Sequence, residues 1–194
     1  SWLEDQDFFR FSGIFRDIYL YTKQKCHLED IEIKQVFENN NFENVKLNFS
    51  INLSNNADVK LVLFDAMDLT LKSNEFKVFD EMPVVYETVG NLHSGKNELS
   101  FDVAAPKLWS AEIPNLYTLY IEIFDKETLV EVSAVKVGIR LFEKNSDNVM
   151  TLNGKRIVFA GVDRHDFSSK FGRAITFDEI KKDIVTMKEN NINA

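Results

Sequence analysis

Cysteine is almost missing from this chain: Cys26 stands alone among 194 residues. No disulfide can form within it, and the fold has to stand on its apolar core. Proline (three) and glycine (seven) are too scarce for a collagen-like or low-complexity chain. His27, His93 and His165 fall in separate segments and give no zinc spacing, which takes three or four ligands. No apolar run exceeds a few residues, far short of the ~20 that a membrane helix requires. The acidic start, Ser1-Trp2-Leu3-Glu4-Asp5-Gln6-Asp7, is not that of a signal peptide. Basic residues are outnumbered, 23 Lys+Arg against 31 Asp+Glu, for a net charge of −8, so nothing favours a polyanion. Gly-rich phosphate loops, a nucleophile elbow and His-Glu-x-x-His are all absent. A cytoplasmic location is expected, with no nucleic-acid and no membrane partner.

What the chain does have is Phe, seventeen of them, and 44% hydrophobic residues. Phe fits strands and buries a large area, which favours a β-rich core. Val45, Leu47, Phe49, Ile51 and Leu53 alternate with polar residues, the mark of a strand with one buried face. The same period recurs at Leu28 to Lys34, with Leu28, Asp30, Glu32 and Lys34 on one face and Ile31 and Ile33 on the other. It recurs at Leu61 and Leu63, at Leu99, Phe101 and Val103, at Tyr117, Leu119, Ile121 and Ile123, and at Val130, Val132 and Ala134 running on to Ile139 and Leu141. Breakers lie between: Asn39-Asn40-Asn41, Ser54-Asn55-Asn56, Ser94-Gly95-Lys96-Asn97 and Asp125-Lys126-Glu127. Short alternating strands separated by turn signals predict an antiparallel, immunoglobulin-like β-sandwich over 26–142.

After residue 142 the pattern changes. Asn153-Gly154, between Val149–Leu152 and Ile157–Phe159, predicts a hairpin with a type I′ turn. A loop from Val162 to Ala174 carries Arg164, His165 and Asp166. Thr176-Phe177-Asp178-Glu179 then forms a capping box ahead of a helical stripe, Ile180, Ile184 and Met187. Asn190-Asn191 is a stop, and Ile192-Asn193-Ala194 begins a strand. The stripe cannot be buried by these elements alone, so the chain is expected to be an internal piece of a longer protein.

Three segments admit chemistry. Glu4, Asp5 and Asp7 could take a cation or a sugar hydroxyl, since hard cations prefer oxygen, or form a solvated acidic turn. It would lead through Ser12–Asp17, with an Arg16–Asp17 ion pair, into a strand at Ile18-Tyr19-Leu20. His165, flanked by both charge signs, could be a general base, a metal ligand, a donor to substrate, or a loop histidine bonded to backbone. Trp109, in the junction from Leu108 to Tyr117, could stack on a sugar but is expected to pack beneath its loop. Cys26, with no second cysteine to pair with, is not indicated as a nucleophile. Spacing alone reveals no catalytic constellation.

Taken together, the motifs resemble glycoside hydrolase family 2, specifically its large cytoplasmic β-galactosidases. The resemblance is carried by Leu3–Asp7 with Ser12–Leu20, by Pro106–Tyr117, by Val137–Arg140, by Leu152–Lys155, by Gly161–His165 and by Met187–Ala194. They come in family order from one end of the chain to the other. The resemblance implies that 1–25 ends a jelly-roll sugar-binding domain, that 26–142 is the sandwich and that 143–194 opens a (β/α)8 barrel. It implies Asp7 as a sodium ligand close to the galactose and His165 as a contact to the galactosyl group. The two catalytic glutamates and the magnesium site would lie beyond residue 194. This chain would therefore contribute no catalytic carboxylate and hold no cofactor by itself. Implied for the whole protein are a retaining hydrolase acting on β-galactosides such as lactose, magnesium and sodium as cofactors, and a homo-oligomeric state. Its partners would be the galactoside and the remainder of its own polypeptide. A sibling β-glucuronidase or β-mannosidase, or a non-catalytic carbohydrate-binding or assembly sandwich, is the alternative. The sequence departs from the family after Arg164-His165, where Glu-His-His-Pro is replaced by Asp166, Phe167, Ser168 and Ser169, and at Asp163, which replaces Asn.

Overall fold

The computed structural model describes residues 13–38, 41–65 and 83–194. The acidic motif at Glu4, Asp5 and Asp7, and the first two residues of the Asn39–Asn41 breaker, lie outside them. The chain divides into two compact units, Thr22–Val158 and the pair of segments Ser1–Tyr21 and Phe159–Ala194.

The larger unit holds strands β1 (Leu28–Val36), β2 (Asn44–Leu53), β3 (Ala57–Phe64), β4 (Val84–Leu92), β5 (Gly95–Ala104), β6 (Tyr117–Asp125) and β7 (Thr128–Val137). They form two antiparallel sheets, ordered β1-β2-β5 and β4-β3-β6-β7. The core is the set of inward residues between the two sheets. Leu47, Phe49, Ile51, Leu63, Leu119, Ile121 and Ile123 are sealed from solvent. Because side chains alternate across a strand, a single register slip would expose the whole β2 set, so burial fixes the register. Phe49 stacks on Phe101, which stacks in turn on Tyr86 of the opposite sheet. Together the three rings tie the layers across the interface.

Two irregularities shift the phase from what the alternation predicts. The β1–β2 register shifts between Leu28 and Asp30, so Leu28 packs on the core together with Ile31 and Ile33 instead of opposite them. The β6–β7 register shifts between Ile123 and Phe124. Beyond it Ser133, Val135 and Val137 stand opposite buried Ile121, Leu119 and Tyr117 and share their face. Val132 and Ala134 are consequently exposed. A bulge adds one residue and inverts the in–out sense beyond it. Strand β4 carries Thr88 and Gly90 at half-buried positions while Val85 and Val89 are exposed, so it has no apolar period to read.

Turns follow the breakers. Lys126, with φ 61°, closes the β6–β7 hairpin. Buried Asn97 donates to the carbonyls of His93 and Gly95 at 2.8 and 3.0 Å and accepts from the His93 N–H at 3.1 Å, fixing the β4–β5 turn. Gly95 and Asn97 thus belong to a strand as well as to its turn.

A small antiparallel sheet, ordered β10-β9-β8, completes the unit: β8 (Phe142–Lys144), β9 (Met150–Leu152) and β10 (Lys155–Arg156). Its turn has positive φ at both Asn153 and Gly154, as a type I′ turn requires. The returning strand is Lys155–Arg156; of the expected Ile157–Phe159 only the Ile157 N–H extends the pairing, to Met150. Asn153 binds the backbone of Leu141 and donates to the Trp109 carbonyl at 3.0 Å. Trp109 is half-buried against Gly138, with the Arg140 guanidinium over its ring.

In the smaller unit, helix α1 (Phe177–Glu189) starts at the Thr176–Glu179 capping box and ends at Asn190, followed by Asn191 at φ 58°. No helix residue is buried. Residues 192–194 do not form a strand, but the Asn193 N–H donates to Ala160 and the Val162 N–H to Ala194. The two segments run in the same direction, the start of a parallel βαβ arrangement.

Candidate functional site

Of the two candidate site residues, His165 is the one among the described residues, and it lies on the loop between Val162 and α1. Its backbone is closed by a two-way hydrogen-bonded pair, Ser168 with Gly172, at 2.7 and 2.9 Å, with Gly172 at φ 59°. Ser168 is buried, and its Oγ accepts from the N–H groups of Lys170 and Phe171 at 3.2 and 3.3 Å. The same hydroxyl donates to Glu179 Oε1 at 2.6 Å. Glu179 Oε2 in turn accepts from the N–H and hydroxyl of Thr176. The hydrogen bond from Ser168, followed by that from the Thr176 backbone, holds the Glu179 carboxyl below its usual range.

Arg164 anchors the other end of this loop. Its Nε and Nη2 donate to Asp183 Oδ2 at 3.0 and 2.8 Å, and its Nη1 donates to Asp166. Asp166 also meets Arg16 at 3.4 Å. The Arg164 hydrogen bond is the main cause holding the Asp166 carboxyl below the ordinary carboxylate range. Arg16 donates as well to the Arg173 carbonyl.

His165 sits between these anchors, exposed, with its carbonyl accepting from the Phe167 N–H at 2.9 Å. An exposed imidazole on a tethered loop can meet a ligand from solvent. The other site residue inferred from sequence, Asp7, lies outside the described residues. Among the described residues no group of three or more His, Cys, Asp or Glu side chains is placed to hold a metal ion.

Two expectations near the site are corrected. Arg16 pairs with Asp166, not with Asp17, which instead accepts from the Tyr19 hydroxyl at 2.9 Å. Adjacent side chains on extended backbone point to opposite sides, so a neighbouring pair is poorly placed to meet. Ile18-Tyr19-Leu20 forms no strand; Leu20 is fully exposed. The Arg16 and Arg173 guanidiniums both lie over the Phe15 ring, 5.1 and 4.5 Å from its centroid. Phe15 lines a cleft of about 310 Å³ with Ile14, Phe171 and Arg173. The contacts of Ser168 with Glu179 and of Arg164 with Asp183 are not written in the sequence, where Glu179 shows only as the capping carboxylate and Asp183 as a helix residue one turn further on.

A Parabacteroides merdae β-glucuronidase superposes with a TM-score of 0.71 over 87% of this chain and 20% of its own, at 20% identity, a likeness of fold alone. At the level of sequence, glycosyl hydrolases family 2 matches residues 26–140, and that family's TIM barrel domain matches 144–194. The chain belongs to glycosyl hydrolases family 2. It is 41% identical to a β-galactosidase of Halalkalibacterium halodurans and 42% to one of Clostridium acetobutylicum, in both cases over 100% of this chain. It spans 18% and 20% of those proteins' lengths.

Proposed function

We propose that this chain is part of a retaining β-galactosidase that hydrolyses terminal non-reducing β-D-galactose residues, lactose among them. The observation that carries this is the identity of about two residues in five with curated β-galactosidases, sustained along the whole chain. The likeness to β-glucuronidases is one of fold and does not favour their substrate.

On this reading 1–25 closes a sugar-binding domain, 26–142 is a scaffold and 143–194 opens the catalytic barrel. His165 contacts the galactosyl group, and Asp7 lies beside the sugar and supplies a carboxylate oxygen to sodium. Magnesium would be held by residues outside this chain. So would the two glutamates, about 5 Å apart, that a retaining mechanism needs as nucleophile and acid/base. The whole protein would be a cytoplasmic homo-oligomer. No helix among the described residues is long and apolar enough to cross a membrane.

The test is hydrolysis of nitrophenyl β-galactoside by the full-length protein, wild type beside Asp7→Ala and His165→Ala. Turnover by wild type, with most of kcat/KM lost in both folded variants, is the expected result. Cleavage of a glucuronide or mannoside instead would overturn the substrate and leave the family standing.

A further inference from the structure

The loop bearing His165 is fastened at both ends to one face of one helix. Glu179 and Asp183 are four residues apart on α1, so their side chains leave the same face about one turn from each other. Glu179 takes the hydroxyl of buried Ser168 at 2.6 Å, and Asp183 takes two donors of Arg164 at 3.0 and 2.8 Å. Ser168 and Arg164 bracket His165, Asp166 and Phe167, all three of them exposed.

We propose that Asp183 and Glu179 are positioning residues that set the orientation of His165 through Arg164 and Ser168. The proposal rests on the reading of His165 as a sugar contact. Part-exposed ion pairs such as Arg164–Asp183 contribute little to global stability, so a purely stabilising role explains the arrangement poorly. Orientation is different. A side chain displaced by about 1 Å can lower a rate by about 10²-fold, because contacts that strengthen in the transition state depend steeply on geometry. The second anchor also gives buried Ser168 a defined task. Its hydroxyl joins the loop to the carboxylate that caps the start of the helix.

The experiment is a double-mutant cycle in the full-length enzyme, assayed on whichever nitrophenyl β-glycoside it cleaves, so that a wrong substrate leaves the coupling measurable. Asp183→Asn and Ser168→Ala should each lower kcat/KM by about 10-fold, mainly through kcat, while circular dichroism remains that of wild type. In the His165→Ala background the same substitutions should lower it less than about 2-fold, since the residue they orient is gone. Ser168→Thr, which keeps the hydroxyl, should retain most of the activity. Losses that are equally large with and without His165 would overturn the proposal while leaving the hydrolase reading intact. Failure of the wild-type enzyme to cleave any of these glycosides would overturn that reading and the positioning role with it.

Discussion

Phe101→Ala offers a direct test of how the sandwich is held together. Phe101 is 7% exposed on β5 and lies between two rings. Phe49 is 4.9 Å away at an interplanar angle of 15°, and Tyr86 is 3.7 Å away at 11°. Burying a Phe side chain stabilises by up to about 3 kcal/mol relative to exposing it. Truncation also leaves a cavity, and Phe→Ala in cores falls at about 3–5 kcal/mol. The flanking rings belong to different sheets, each fixed by its ladder, so the gap can close only partly. The expected loss is therefore about 4 kcal/mol. With a urea slope of about 2 kcal/mol/M, the unfolding midpoint should fall by about 2 M. Phe101→Leu, which fills most of the volume but removes both ring contacts at about 0.5–1.5 kcal/mol each, should lose about 1–3 kcal/mol. Phe177→Ala, at a ring 77% exposed on α1, should stay within about 0.5 kcal/mol. Urea titration followed by far-UV circular dichroism reads all three. A Phe101→Ala variant within 1 kcal/mol of wild type would show that the stack does not join the sheets.

A methyl group at Gly138 would approach Trp109 Cδ1 at 3.1 Å and Leu116 Cδ2 at 3.3 Å. Gly138→Ala should accordingly lose about 1–3 kcal/mol by overpacking, read as a lower melting temperature; an unchanged one would mean that the Trp109 junction is loose. Glu179 and Asp166 both have lowered carboxyl pKa values, so each binds protons less readily folded than unfolded. Their contributions should be complete above the ordinary carboxylate range, about pH 4, and lost as the pH falls through the lowered folded values. Amide protection at 168–172 and in the first turn of α1, corrected for intrinsic exchange, should be flat from pH 8 to 5 and fall at more acid pH. Glu179→Gln should remove much of that dependence in the helix, and a fall between pH 8 and 6 would contradict the sign.

The sandwich was legible because its central strands obey a two-residue period with nothing to disturb it. Leu47, Phe49 and Ile51 face the core and are paired on both sides, so position in sequence maps directly onto burial. Edges and bulges break that map. Alternation alone misplaces Leu28 in β1 and Val132 and Ala134 in β7, although Val130 and Ile139 do face the core; one inserted residue inverts the phase and no composition rule marks where it sits. For β4 the signal failed outright: an edge strand is buried less deeply, and Thr88, Gly90 and the exposed valines erase its alternation. The Asn153-Gly154 turn and the Thr176–Glu179 cap were legible because both are local, fixed by φ at two residues or by a bond across three.

At the site, local and distant information separate cleanly. His165 stands out as a candidate through the motif around it, which is contiguous in sequence. Its supports do not, because Arg164 meets Asp183 nineteen positions away and Arg16 meets Asp166 across 150. Such partners depend on how a helix lies on its loop, and that is set by backbone closure such as the Ser168–Gly172 pair. The altered residues of this loop make the point chemically. Asp166 places its negative charge against Arg164 and Arg16. Ser168, which has no imidazole to offer a ligand, turns its hydroxyl inward to Glu179. Two imidazoles are absent from the loop, yet both of its ends remain fastened to α1. The substitutions therefore bear on which groups a sugar would meet beside His165 more than on where His165 stands.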